Sequence, residues 1–124
     1  MGVTPRTLAG LTALLVEDES LVSMLAEDIL ADAGCAVVLA MRLGEALDLA
    51  RSEQLDFAIL DVNLGGGQTS YPVADVLAER GIAFLFATGY DAGGLDALYP
   101  GVPLMQKPYA AEALVGAAAA LLGR

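Results

Sequence analysis

Five times along the chain a short, continuously apolar run is followed by a stretch with helical spacing, and this alternation constrains the fold more than any other feature. The β-type runs cover residues 13–16, 36–40, 57–60, 83–87 and 103–105. Ala13-Leu14-Leu15-Val16, Phe57-Ala58-Ile59-Leu60 and Ala83-Phe84-Leu85-Phe86 contain no polar residue. Unbroken apolar strands belong to parallel sheets covered on both faces, where neither side-chain parity meets water. Each run is short and bounded by turn residues or acids, which argues against fragments of helix. The pattern predicts an α/β domain of βαβ units with right-handed crossovers.

Between the runs, Ser20 is placed to cap a helix through Ala33, with Leu21, Met24, Leu25, Asp28 and Ile29 as its apolar stripe and Gly34 as its stop. Further helices are expected over 43–52, over 71–79 with a stop near Gly81, and over 110–122, an alanine-rich stretch of high intrinsic propensity. A helix over 91–99 should be short or mobile, because Gly93 and Gly94 each cost it about 1 kcal/mol relative to alanine. No linker, repeat or low-complexity tail interrupts the chain. Its 124 residues are enough to close a single core. Residues 1–10 read as an N-terminal extension and 11–124 as one domain.

Composition removes several classes of function. The formal net charge of −10 repels nucleic-acid phosphates, so direct DNA binding is not expected. The longest candidate membrane segment, 113–122, is half of the roughly 20 residues needed to span a bilayer and reads as a buried helix. Arg6 followed by the apolar stretch 8–16 mimics a signal peptide, but it lacks a small-residue cleavage site and runs straight into Glu17, Asp18 and Glu19. Gly2 is no myristoylation signal, since Arg6 stands where serine or threonine is needed. The single Cys35 fits a small buried hydrophobe in a reduced, cytoplasmic protein. There is no histidine, which removes His-ligated zinc, Ser-His-Asp hydrolysis and a phosphohistidine role. What remains is carboxylates, hydroxyls and one amine.

In open parallel sheets, ligands bind beyond the carboxyl ends of the strands where the strand order reverses. Glu17 and Asp18 follow the first run, Asp61 the third, Thr88 the fourth and Lys107 the fifth. Taken singly, each has a bland reading as a helix cap or a solvated loop residue. Together they do not, because Lys107 is the only lysine in the chain and lies at the end of a core strand beside a proline. Jointly they suit phosphoryl transfer. Magnesium takes oxygen ligands and needs one or two carboxylates, which Asp18 and Asp61 supply, with Glu17 orienting a metal-bound water. Lys107 and the Thr88 hydroxyl can neutralise and hold the equatorial oxygens, and Asp61, ending the most central strand, can be the nucleophile.

The segments Leu15-Val16-Glu17-Asp18-Glu19, Ile59-Leu60-Asp61-Val62-Asn63-Leu64, Ala87-Thr88-Gly89-Tyr90 and Gln106-Lys107-Pro108-Tyr109 resemble the four signature blocks of bacterial two-component receiver domains, in the right order and spacing over about residues 11 to 123. The resemblance implies a stand-alone, chemotaxis-regulator-like protein with a flavodoxin-like (βα)5 doubly wound sheet of strand order 2-1-3-4-5. It makes Asp61 the phosphoacceptor, Asp18 a direct magnesium ligand, Glu17 a water-mediated one and Asn63 a ligand through its carbonyl. Thr88 and Lys107 become the holders of the phosphoryl oxygens. It also implies a cis peptide at Lys107-Pro108, a histidine kinase or histidine phosphotransfer protein as donor, and a downstream protein target.

Three departures stand out. Leu64 leads into Gly65-Gly66-Gly67 where the family often has a proline, which should loosen that loop. Leu104 occupies the place of the usual aromatic three positions before the lysine. The run Phe84-Leu85-Phe86-Ala87-Thr88-Gly89-Tyr90 resembles a subgroup with an FxFATG-type fourth strand. With Leu104 unable to report the switch, Tyr90 is expected to relay it to the face made by the 91–99 segment, the fifth strand and the closing helix. Two other readings compete. A haloacid-dehalogenase-like phosphohydrolase also uses a strand-end aspartate with magnesium, but wants a second acid where Asn63 stands. A degenerate receiver acting as a constitutive binding module would take up no phosphoryl group.

Overall fold

All five apolar runs are strands in the computed structural model, which describes residues 7–89 and 98–124. They are β1 Thr12–Val16, β2 Ala36–Ala40, β3 Phe57–Asp61, β4 Ala83–Thr88 and β5 Leu104–Gln106. The sheet order is β2-β1-β3-β4-β5 with every pair parallel, so the flavodoxin-like topology is confirmed. β5 starts one residue later than the sequence suggests. Pro103 accepts a bond from the Phe86 N–H but has no N–H of its own to give.

Four helices are described: α1 Ser20–Asp32, α2 Leu43–Ser52, α3 Tyr71–Glu79 and α4 Ala111–Leu121. Alternate strand residues feed two cores. Ala13, Leu15, Phe57, Ile59, Leu85 and Ala87 pack with α1 and α4, while Leu14, Val16, Ala58, Leu60, Phe84 and Phe86 pack with α2 and α3. Leu8, ahead of β1, is fully buried in the first of these, and its N–H reaches the Ala33 carbonyl at 3.0 Å. None of the helices described is long and apolar enough to cross a membrane.

α1 differs from expectation in two ways. Its N-cap is Glu19, whose N–H is held by the Glu17 carboxylate at 3.2 Å, so the strand-end acid organises the turn and Ser20 falls inside the helix. Its buried face is Ser23, Ala26, Ile29 and Leu30. Leu21, Met24 and Leu25 instead point outward, at 81%, 59% and 42% exposure. Two apolar stripes compete on this helix, and the one carrying the small residues Ser23 and Ala26 lies against the sheet, where close approach is needed.

Tyr90 and most of the expected 91–99 helix lie outside the described residues. At the end of that segment the Tyr99 ring packs on Tyr71, Phe84 and Phe86, with its hydroxyl 2.9 Å from Asp75 Oδ1 and 3.2 Å from the Tyr71 carbonyl. Burial, and then the Asp75 carboxylate, push this phenol up to about 12.

Candidate functional site

The strand order turns back between β1 and β3, and the side chains after these two strands meet those after β4 and β5. Two of the acids singled out in the sequence, Glu17 and Asp61, are drawn together by the Lys107 ammonium. Lys107 Nζ lies 3.0 Å and 3.2 Å from the two Glu17 oxygens and 3.0 Å from Asp61 Oδ2. Glu19 Oε1 is 3.6 Å away on the solvent side. Glu17 is fully buried, Asp61 and Thr88 nearly so. The backbone fixes the register of these groups, with Val62 N–H on the Ala87 carbonyl and Lys107 N–H on the Thr88 carbonyl, both at 2.9 Å. The Lys107-Pro108 peptide is cis.

Above this pair of acids a cavity of about 330 Å³ opens to solvent, lined by Asp18, Glu19, Asp61, Asn63 and Lys107, with Gly65 and Gly89 at its rim. A larger cleft, about 650 Å³, is lined by the single stretch from Leu39 to Glu45 and gathers no groups from different strands. Convergent chemistry, rather than size, identifies the site.

The electrostatics follow from crowding negative groups where water is scarce. Burial, then the neighbouring Glu17 charge, push the Asp61 carboxyl up to about 7 against the opposing pull of Lys107. Burial works against the Lys107 ammonium, yet its bonds to Glu17 and Asp61 outweigh that and raise its pKa. Tyr109 is buried beside the same acids, and both burial and the Glu17 and Asp61 charges raise its phenol.

The donor set fits a hard divalent cation. Carboxylate oxygens of Glu17, Asp18 and Glu19 lie within 4.8 Å of one another, and all are of the type magnesium prefers. Glu19 is the member that sequence reasoning left out, although it stands next in the acidic run. The Asp18 carboxylate is half-exposed and makes no hydrogen bond or ion pair among the described residues. Asn63 sits at the mouth and bridges in antiparallel fashion to Thr69. The glycine loop beyond it is a closed turn rather than a loose one. Leu64 N–H donates to the Gln68 carbonyl and Gln68 N–H to the Gly65 carbonyl, both at 2.9 Å.

No protein-family model and no curated protein sequence matches the chain. Solved structures do. The solution structure of SdrG from Sphingomonas melonis Fr1 is 40% identical with a TM-score of 0.80, covering 94% of this chain and 98% of that one. The BeF3-activated conformation of SdrG from Pseudomonas melonis Fr1 is 39% identical with a TM-score of 0.76, covering 96% and 98%. A response regulator receiver protein from Sinorhizobium medicae WSM419 shares the fold at 24% identity and a TM-score of 0.82, over 91% and 94%.

Proposed function

The chain belongs to the receiver domains of response regulators, and on that premise we propose that it is a single-domain, magnesium-dependent switch that accepts a phosphoryl group on Asp61. The observation that carries this reading is the placement of Asp61. It ends the central strand inside the cavity, with the Lys107 ammonium 3.0 Å from its Oδ2 and an acidic cluster beside it. The donor is a phosphorylated histidine kinase or phosphotransfer protein, and the readout is contact with a downstream protein. The lone buried Cys35 suits a reducing cytoplasm.

An Asp61 carboxylate oxygen attacks phosphorus, forming the P–O bond as the donor's P–N bond breaks, and the imidazole nitrogen leaves with the electron pair. Lys107 and the Thr88 hydroxyl hold the oxygens of the transferred group. Asp18, Asp61 and the Asn63 carbonyl would hold magnesium, with Glu17 orienting one of its waters. When bound, the cation neutralises charge on the transferring oxygens. Capture of SdrG in a BeF3-activated conformation supports a comparable response here.

The wild-type protein should gain the mass of one phosphoryl group from acetyl phosphate with magnesium, and none when the metal is chelated. Intact-protein mass spectrometry with peptide mapping checks both the count and the position. An unlabelled wild type would point to a constitutive binding module instead.

A protein donor must cover the cavity mouth, and α1 begins next to Glu19 at that mouth with Leu21, Met24 and Leu25 exposed. Such an apolar surface marks a contact site. Met24→Glu should slow labelling by a phosphorylated histidine kinase about tenfold or more, as expected for a desolvated hot spot, and leave labelling by acetyl phosphate unchanged. Equal rates from the kinase would remove α1 from the docking surface. On the output side Leu98 and Leu104 are exposed, at 60% and 44%, on the face that Thr88 would drive. Leu104 leaves the relay to another residue, and Tyr90 remains the proposed one.

A further inference from the structure

Gly65 opens the glycine run after Leu64, and its backbone excludes proline and disfavours every other L residue. Its φ is +79°, in the left-handed region, whereas proline is confined near −65°. A side chain would also meet an obstacle. A Cβ built on Gly65 would lie 3.3 Å from Asp18 Oδ2, closer than ordinary van der Waals contact, so the carboxylate would have to give way. Gly67, two residues on, has nearly the same backbone, φ +78°, but a Cβ there would meet nothing within 4 Å.

We propose that Gly65 is a positioning residue for the cation site: the absence of a side chain there leaves the Asp18 carboxylate the room to stand where it does. This rests on the reading of the cavity as a magnesium site. Glu17 and Asp61 are both tied to Lys107, while Asp18 has no hydrogen bond or ion pair among the described residues. No such bond would hold it in place against a side chain at position 65. Gly65 itself is held by the closed turn, through the bond from Gln68 N–H to the Gly65 carbonyl and the one from Ser70 N–H to the Val62 carbonyl at 3.1 Å. Metal affinity depends on such orienting contacts, and their loss weakens binding about 10–100-fold. Proline at position 65 could not take this course, so the glycine and the position of Asp18 belong to one arrangement.

The test is calorimetric titration of magnesium into the full chain, with melting temperatures measured alongside. Gly65→Ala adds both backbone strain and the Cβ contact. Gly65→Asn keeps the contact with less strain, since asparagine tolerates the left-handed region better than other residues. Gly67→Ala adds the strain alone. Both Gly65 variants should bind magnesium about tenfold more weakly, whereas Gly67→Ala should keep the wild-type affinity despite the loss of thermal stability that its backbone strain brings. Wild-type affinity in the Gly65 variants, or an equal loss in Gly67→Ala, overturns the proposal while leaving the site reading intact. A wild type that binds no magnesium overturns both.

Discussion

Asp61→Asn will take up no phosphoryl group from acetyl phosphate, and without metal it will be more stable than the wild type by about 2 kcal/mol at about pH 8. The first effect follows because the amide offers no anionic oxygen to attack phosphorus while filling the same space. The second follows from where the carboxylate sits. Its pKa is raised from 3.8 to about 7, chiefly by burial and next by the Glu17 charge. A folded state that retains a proton the unfolded chain has already released loses stability as pH rises between those two values. The penalty is absent below 3.8, grows through the interval and is constant above about 7. Each pKa unit corresponds to about 1.4 kcal/mol, and discounting the shift by about half for the solvent at the cavity mouth leaves about 2 kcal/mol. Asparagine carries no such penalty, and Lys107 keeps Glu17 as its partner. Urea denaturation of both proteins in chelator, across this range of pH, measures the difference. A gap that does not widen with pH would mean that Asp61 is not the strained group. Magnesium at about 100 times its dissociation constant should return about 2.7 kcal/mol to the wild type and less to the variant.

Lys107→Ala should bind magnesium about tenfold more tightly at about pH 8.5, the opposite of what loss of a site residue normally does, because each released charge-assisted bond is worth about 1.5–3 kcal/mol. In the metal-free protein the ammonium is the internal counterion of Glu17 and Asp61, 3.0 Å from each. On the proposed reading, a divalent cation would have to draw Asp61 away from it and then tolerate it as a neighbour of like sign. Removing the ammonium frees the ligand but also takes away the group that pulls the Asp61 pKa down, so protons compete more strongly with the metal. The gain should therefore shrink toward neutral pH. Calorimetric titration at two pH values resolves the two effects, and an affinity lower than wild type in alkaline buffer would show Lys107 to be no counterion. The variant should still lose the conformational response to BeF3, having nothing to hold the phosphoryl oxygens, which NMR chemical shifts of β4 and β5 would report.

The strands were legible because strands buried on both faces admit only apolar residues, and the groups that gather at the cavity were legible because they stand at the ends of those blocks. Asp61, Thr88 and Lys107 close or follow β3, β4 and β5, so reading the residue after each run found them without any contact in view. Glu19 was less legible, since a third acid in an exposed turn has the same signal as a solvated one.

What the chain determined by itself was parity and order: alternate residues of each strand must serve two cores, and a parallel sheet must gather its strand ends on one edge. What only the tertiary structure decided was phase and proximity. On α1 Leu21 and Met24 recur at the same spacing as Ser23 and Ala26, so periodicity could not say which pair meets the sheet. Close packing chose the smaller side chains. Likewise Lys107 grips Glu17 and Asp61 from 90 and 46 residues away, and Gly65 approaches Asp18 across the cavity mouth. Such contacts join residues that no local pattern relates, and they arise only when the sheet brings its strand ends together in space.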